Sequence, residues 1–231
     1  EISLDHLQYS KYMKKSDIGI FCAARTSSTR CKKKMIRPFA DTSLTDILLS
    51  KLAKIGGNVF FSGYESLFEE KCHLHGIPFV QRTEKSALSE GPLLEVFDFL
   101  ADQPYEYFLF FNGCLPFLKT ETISKFLDIC IEDDKPKFAV LKRNNYFTDM
   151  DGNPYNFDKD LKIMDTKVVE PVHEFAHALY FYKKSYFLKH GKYWDWNDIR
   201  YVEIEDGIET FDIDTEEQFL MAEAMWKNLE K

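Results

Sequence analysis

The chain has 231 residues, of which 45% are hydrophobic, 16% aromatic and 29% charged, and 30 Lys+Arg against 38 Asp+Glu give a formal net charge of −8. This composition excludes a disordered tail, a collagen-like fibre and a polycationic nucleic-acid binder, and the length predicts one large α/β domain. No apolar run is long enough to span a bilayer, and the first residues lack the pattern of a signal peptide. Five scattered cysteines without a CxxC pair indicate reduced thiols. We therefore expect a soluble, cytoplasmic protein that binds neither membrane nor nucleic acid.

The first predicted unit is a strand, a loop and a helix. Residues 17–23 form a short apolar run typical of a buried strand, and a loop rich in Arg, Ser, Thr and Lys follows it. The apolar positions of residues 43–54 fall on one helical face, with Ser43 as N-cap and Gly56-Gly57 as the stop.

The same alternation continues along the chain. We predict strands at 58–62, 77–81, 105–111 and 137–141, and helices at 65–75, 92–101 and 120–131. Strands that alternate with helices indicate a mostly parallel sheet with helices on both faces, a Rossmann-like α/β fold. Ligands bind such sheets at the carboxyl ends of the strands.

The pattern is interrupted by a polar excursion at residues 142–176, which we interpret as a protruding β-hairpin or arm. Three further strands are predicted, at 178–182, 201–205 and 208–213, before a final helix at 215–229. Residues 1–16 are interpreted as a helical extension, so that residues 17–231 form the domain.

The loop after the first strand is the strongest functional feature. Residues 25–37 contain six basic side chains and no acidic one. Arginine forks, lysine ammonium groups, hydroxyls and backbone N–H groups together suit a polyphosphate. A solvated basic turn is the alternative explanation. Arg82, just beyond another predicted strand, is either a second contact to the nucleotide or a surface arginine.

Asp212-Ile213-Asp214 is a candidate metal site near the end of the chain. In an extended segment the side chains of residues i and i+2 point the same way, so both carboxylates can face one Mg²⁺. Thr215 and Gln218 would cap the following helix. Alternatively, the two aspartates are only strand-end and capping residues.

Three motifs together resemble those of one enzyme family. Ala24-Arg25-x-x-Ser28-x-Arg30-x-x-x-Lys34 resembles the A-R-x-x-S-x-R-x-x-x-K signature of the cytidylyltransferases that activate acidic sugars, which include the CMP-sialic acid and CMP-Kdo synthetases. Residues 111–117 are similar to the L-Q-P-T-S-P-L segment of the sialic-acid enzymes, and residues 211–217 to their D-x-D-T-x-E segment. With residues 178–181 included, the resemblance spans roughly residues 17–225.

The resemblance implies a nucleotidyltransferase with a GT-A-like fold that transfers CMP from CTP to a small acidic acceptor, such as a nonulosonic acid. It implies a homodimer in which the excursion at 142–176 contacts the second subunit, a Mg²⁺ cofactor on Asp212 and Asp214, and Asn112 as an acceptor-binding residue. Catalysis would depend on Arg25, Lys34 and Asp214, and the nucleotide would contact Ala23, Ala24, Arg25, Ser28, Arg30, Lys34 and Arg82.

The chain departs from the family pattern at three of these positions. Ala23 stands where the family usually has Pro, Asn112 where the sialic-acid enzymes have Gln, and Cys114 where the Kdo enzymes have a metal-binding Asp. The change at Cys114 disfavours a Kdo-type metal site and leaves Asp212 and Asp214 as the metal ligands.

A competing motif, HExxH, spans residues 173–177. On a helix it would place two imidazoles on one face for Zn²⁺, as in a zinc metallopeptidase. Pro171 before it and a β-prone run after it disfavour that helix, and then His173 and His177 line the arm or the acceptor pocket. A non-catalytic nucleotide-binding module is the remaining alternative.

Overall fold

β1 (Ile18–Ala23) is an interior strand of the sheet, and its residue pattern explains the two-sided core. Ile20 and Cys22 pack into the larger hydrophobic cluster on one face, whereas Phe21 between them belongs to a second cluster on the other face. β4 (Tyr107–Phe111) alternates in the same way, with Leu109 on the first face and Phe108 on the second. Both strands are therefore buried on both faces, as the apolar runs predict.

The computed structural model describes residues 13–229. Within that range the strands are β1 (Ile18–Ala23), β2 (Val59–Gly63), β3 (Phe79–Gln81), β4 (Tyr107–Phe111), β5 (Lys137–Arg143), β6 (Val172–Lys183) and β7 (Arg200–Glu203). The α-helices are α1 (Leu44–Ile55), α2 (Ser66–His75), α3 (Glu84–Leu88), α4 (Leu93–Val96), α5 (Thr120–Cys130), α6 (Lys184–His190) and α7 (Glu216–Leu229). None of these helices combines the length and apolar character that a bilayer span requires.

The strands form one mixed sheet in the order β3-β2-β1-β4-β6-β5-β7. β1 pairs in parallel with β2 and β4, and β5 pairs in parallel with β7, whereas β6 runs antiparallel to β4 and β5. Buried residues of α1, α2, α5 and α7 cover one face of the sheet, and α6 with the segment around Phe97–Leu100 covers the other. The predicted α/β fold with helices on both faces is confirmed.

Several predicted elements are wrong. Residues 208–213 are not a strand, because Gly207–Thr210 form a 3-10 helix and the chain then runs irregularly to α7. The predicted helix at 92–101 is divided into α4 and a 3-10 turn at Asp98–Leu100, and α3 and α6 were not predicted.

The excursion at 142–176 is only partly a β-hairpin, because its two ends belong to the antiparallel strands β5 and β6 and residues 144–171 between them form a loop. β5 and β6 pair as far as Arg143 and Val172, and the residues between them contain a single isolated bridge, Thr148 to Pro154. Buried Asn156 organises this loop, because its amide donates to the carbonyl oxygens of Asn145 and Glu170. Of the predicted extension at 1–16, residues 1–12 lie outside the described range, and Lys15–Asp17 form a 3-10 turn.

Candidate active site

A cleft of about 740 Å³ opens at the carboxyl ends of β1 and β4. The chain passes from β1 outward to β2 and β3 and then returns to β4 on the other side of β1, so these two strands flank the switch point of the sheet, where ligands bind such folds. Ten residues predicted from the sequence all line this cleft: Ala23, Ala24, Arg25, Ser28, Arg30, Lys34, Arg82, Asn112, Asp212 and Asp214.

One wall of the cleft carries the basic side chains of the β1–α1 loop. Arg30 donates to Asp214 at 2.9 Å, and Lys34 donates to the carbonyl oxygen of Ile213 and, at 3.4 Å, to Asp214. Burial alone lowers the pKa of Lys34, but Cys114, Asp214 and Asp212 together hold it above its ordinary value. Lys34 is therefore a fixed, protonated ammonium group inside the cleft.

The adjoining wall carries the two predicted metal ligands, Asp212 and Asp214. Asp212 is mostly enclosed, and burial together with the charge of Asp214 raises its pKa above the ordinary value, despite Lys34 and His177 nearby. Gln218 fixes the backbone of this segment, because its side-chain oxygen accepts hydrogen bonds from the N–H groups of Asp214 (2.7 Å) and Thr215 (2.9 Å). The hydroxyl of Thr215 in turn accepts a hydrogen bond from the backbone N–H of Gln218, so the predicted capping pair at the start of α7 is confirmed.

Asn112 lies between the two walls, immediately after β4. Its side-chain oxygen accepts from the N–H of Cys114 at 2.9 Å, and its amide nitrogen donates to Asp212 at 3.3 Å. The orientation of the amide is thereby set, with its nitrogen toward the acidic wall. Cys114 also lines the cleft, and burial raises the pKa of its thiol to about 11, which makes it a poor nucleophile.

Arg82 is a buried wall residue, only 4% exposed. Its guanidinium donates to the hydroxyl and carbonyl oxygens of Ser86 and to the carbonyl oxygen of Val96 at 2.9 Å. Arg82 thus joins the end of β3 to α3 and α4. The alternative that Arg82 is a surface arginine is wrong. Several N–H donors of its guanidinium are already bonded to residues of the cleft wall.

Sequence reasoning missed the part of the cleft formed by residues 89–97. Ser89, Glu90 and Gly91 line it, and Arg25 donates to the carbonyl oxygen of Ser89 and to the carboxylate of Glu90, both at 3.1 Å. The only signal was a Ser-Glu-Gly-Pro turn shortly after the end of a predicted strand. Apolar side chains that nothing in the sequence marked also contribute: Met35, Leu93, Val96, Phe97 and Phe110.

The HExxH segment does not form a helix. His173 and His177 lie on β6, and His177 has a φ of 48° where the β5–β6 register shifts. His173 approaches Glu203 at 3.4 Å, and His177 approaches the Tyr180 hydroxyl at 2.7 Å. The helical geometry that a zinc peptidase needs is absent from this segment, and neither histidine is among the residues that line the cleft.

Between residues 13 and 229, no group of three or more His, Cys, Asp or Glu side chains converges as a ready-made metal site. The acidic wall nevertheless suits Mg²⁺, which is commonly held by one or two carboxylates together with water and substrate phosphates. One carboxylate oxygen of Asp212, Oδ1, is buried and has no hydrogen-bond partner. Such an atom has the chemistry of a vacant ligand position.

Several solved structures share this fold. A CMP:2-keto-3-deoxy-manno-octonic acid synthetase complexed with CTP superposes with a TM-score of 0.67 at 11% identity, covering 91% of this chain and 98% of its own. A 4-diphosphocytidyl-2C-methyl-D-erythritol synthase from Anaerococcus prevotii gives 0.64 at 14% identity, covering 93% and 100%. A cytidylyltransferase from Leptospira borgpetersenii gives 0.57 at 13% identity, covering 92% and 87%. At these identities the likeness defines the fold class.

The sequence itself identifies the family. The cytidylyltransferase family profile matches residues 20–225, and the chain therefore belongs to this family of enzymes. No curated protein matches the chain by sequence.

Proposed function

We propose that the protein transfers CMP from CTP to a small acidic sugar, such as a nonulosonic acid of the sialic-acid type, and releases pyrophosphate. The main supporting observation is that Arg25, Arg30 and Lys34 line one cleft at the switch point of the sheet together with Asp212 and Asp214, and that Arg30 and Lys34 contact Asp214 directly. Family membership supports the use of CTP, and the motif resemblance at residues 24–34 and 211–217 supports an acidic acceptor.

The basic wall is suited to the triphosphate. Its cations are balanced by carboxylates of the protein itself, with Arg25 on Glu90 and Arg30 and Lys34 on Asp214. These ion pairs hold the donors in place before a ligand arrives, and phosphate oxygens offer them stronger, bidentate partners. The acceptor's carboxylate would be drawn to the same positive field.

In the proposed reaction an oxygen of the acceptor attacks the α-phosphorus of CTP. The bond between the α-phosphorus and the bridging oxygen of the β-phosphate breaks, pyrophosphate leaves with that electron pair, and the acceptor hydroxyl loses its proton to solvent water. Arg25, Arg30 and Lys34 hold the phosphates and stabilise the charge on the leaving group, while Asn112 orients the acceptor. No protein nucleophile is required, because positioning and electrostatics account for most of the catalysis of phosphoryl transfer.

Asp212 and Asp214 would hold a Mg²⁺ ion in this proposal. When bound, the ion supplies positive charge that offsets the charge developing on the phosphate oxygens. The partnerless Oδ1 atom of Asp212 supports this assignment, as does the position of Asp212 in the cleft that the basic loop also lines.

We also propose a homodimer that uses the excursion at 142–176. This loop exposes several large apolar side chains to solvent: Met150, Tyr155, Ile163, Met164 and Val168. Exposed apolar side chains in one segment are typical of a contact surface. Light scattering on the purified chain tests this, and a monomer at micromolar concentration would contradict it.

The decisive experiment is a pyrophosphate-release assay with ATP, CTP, GTP and UTP against acidic acceptors that include N-acetylneuraminic acid and Kdo. We expect release with CTP, with Mg²⁺ present and with an acidic sugar only. Release with another nucleotide would overturn the choice of CTP. Binding of CTP without release for any acceptor would instead indicate a nucleotide-binding module.

A further inference from the structure

Lys51 is a lysine on the inner side of α1 that does not line the cleft. Its ammonium donates to two successive backbone carbonyl oxygens, those of Leu115 at 3.0 Å and Pro116 at 2.7 Å. Burial lowers the pKa of Lys51 to about 7, although Cys22 and Glu209 nearby act to raise it. Burying an ammonium group opposes folding unless its N–H donors find partners, and the two carbonyl oxygens supply them here.

The two carbonyls belong to the loop that follows β4, and this loop organises the acceptor side of the cleft. Asn112 begins the loop, and its backbone N–H bonds the carbonyl oxygen of Ala178 at 3.0 Å. Two residues later, the carbonyl oxygen of Cys114 accepts from the N–H of Ile213 at 3.0 Å. Because Ile213 lies between the two aspartates, the position of this loop also sets the position of both carboxylates.

The same helix holds the loop at a second point. A Cβ atom on Gly113 would lie 2.7 Å from Cδ2 of Leu48, so only a glycine lets the loop approach α1 this closely without a shift. Leu48 and Lys51 are three residues apart and therefore neighbours on one face of α1. α1 itself follows directly on the basic loop, so one rigid element supports both walls.

We propose that Lys51 is a positioning residue: by holding the carbonyls of Leu115 and Pro116, it sets Asn112 and the Asp212–Asp214 segment at the correct distance from the basic wall. This role rests on the proposed cytidylyltransferase reaction. In this role Lys51 touches no substrate atom and acts only through the loop after β4.

The test compares Lys51→Met with Lys54→Met, which removes an exposed ammonium one turn further along α1. Three quantities are measured: hydrogen exchange of the Ile213 amide by NMR, the Kd for CTP by calorimetry, and pyrophosphate release with CTP and N-acetylneuraminic acid. For Lys51→Met we expect exchange at Ile213 to be at least about tenfold faster and kcat about tenfold lower, with the Kd for CTP within about twofold of the wild type. Lys54→Met should leave all three unchanged.

Wild-type exchange at Ile213 in folded Lys51→Met would overturn the proposal. A uniform rise in exchange across the sheet, together with loss of CTP binding, would also overturn it, because the lysine would then support only the global fold. Should Lys51→Met not fold, Lys51→Gln, which retains an N–H donor group, is expected to give the same local signature in weaker form. If the wild-type chain releases no pyrophosphate at all, the proposed function fails, and exchange at Ile213 still decides the role of Lys51.

Discussion

Lys34 and Asp214 are 180 residues apart in the chain, yet the Nζ atom of one lies 3.4 Å from a carboxylate oxygen of the other. Arg30 binds the same carboxylate oxygen at 2.9 Å. Asp214 is thus the point where the basic and acidic walls of the cleft meet. Both walls depend on it, because it orients two cations and is a proposed metal ligand.

Asp214→Asn tests the acidic wall. Removing the charge takes away a Mg²⁺ ligand and the counter-ion of Arg30 and Lys34, so we expect kcat for pyrophosphate release to fall on the order of 10²–10³. The Tm should change little, because this ion pair is partly exposed. Glu217→Gln, an exposed charge change in the first turn of α7, is the matched control. Turnover near the wild-type level in Asp214→Asn would contradict the proposal that Asp214 is a Mg²⁺ ligand.

Lys34→Ala tests the basic wall. Lys34 is 11% exposed and protonated, so its loss removes a charge-assisted contact to the triphosphate, and we expect the KM for CTP to rise about tenfold. The control is Lys32→Ala, which removes an exposed charge from the same loop. Equal KM values for the two variants would mean that the loop acts only through its net charge.

Glu90→Gln tests the contact between Glu90 and Arg25. The carboxylate competes with phosphate oxygens for the guanidinium, and the pair is largely exposed, so its contribution is small. We expect the KM for CTP to fall by about two- to fivefold, with a stronger dependence on salt, because the site becomes more positive. An unchanged or raised KM would show that Glu90 does not oppose nucleotide binding.

Asp46 gives the fold a pH-dependent contribution to stability. Burial acts to raise its pKa, but hydrogen bonds from Lys71, Ser43 and His75 outweigh burial and leave the pKa below its ordinary value. The stabilisation is therefore complete above the unfolded-state pKa of about 4 and is lost as the pH falls through the lower folded-state value.

Asp46→Asn should accordingly lower the free energy of unfolding by about 1 kcal/mol at pH 7, and the difference from wild type should shrink below about pH 4. Urea unfolding at several pH values measures this, with exposed Asp41→Asn as control. A difference that stays constant down to pH 2 would show that the ionised carboxylate is not the source.

Elements with strong local signals were predicted correctly. Ser43 caps α1 as its sequence indicates, because its hydroxyl accepts from the N–H of Asp46 at 3.2 Å. The apolar run of β1 forms a buried interior strand, as predicted. The β-prone residues 208–213 were predicted wrongly, because tertiary contacts override propensity there. Buried Glu209 accepts from the backbone N–H of Lys119 at 2.9 Å, which fixes a 3-10 turn instead of a strand.

The candidate site was predictable where its residues carry charge in a recognisable spacing, as in residues 25–34 and 212–214. Lys51 had no such signal, because as a lysine in an amphipathic helix it looks like any solvent-exposed position. Its role depends on two carbonyl groups that lie 64 and 65 residues further along the chain. A local sequence pattern cannot reveal contacts over such separations. The turn at Ser89–Gly91 was missed for the same reason.

The pairing of Arg37 with Glu216 has a consequence for biosynthesis. Its two guanidinium nitrogens bond both carboxylate oxygens, at 2.9 and 2.8 Å, across 179 residues of chain. At ordinary translation speeds, roughly 10–40 s separate the emergence of these two residues from the ribosome. Throughout that interval the six cations of residues 25–37 have no access to Asp214 or Glu216. The cleft is therefore completed last, and a nascent chain stalled before residue 214 exposes Arg30, Lys34 and Arg37 without their carboxylate partners to the polyanions around it.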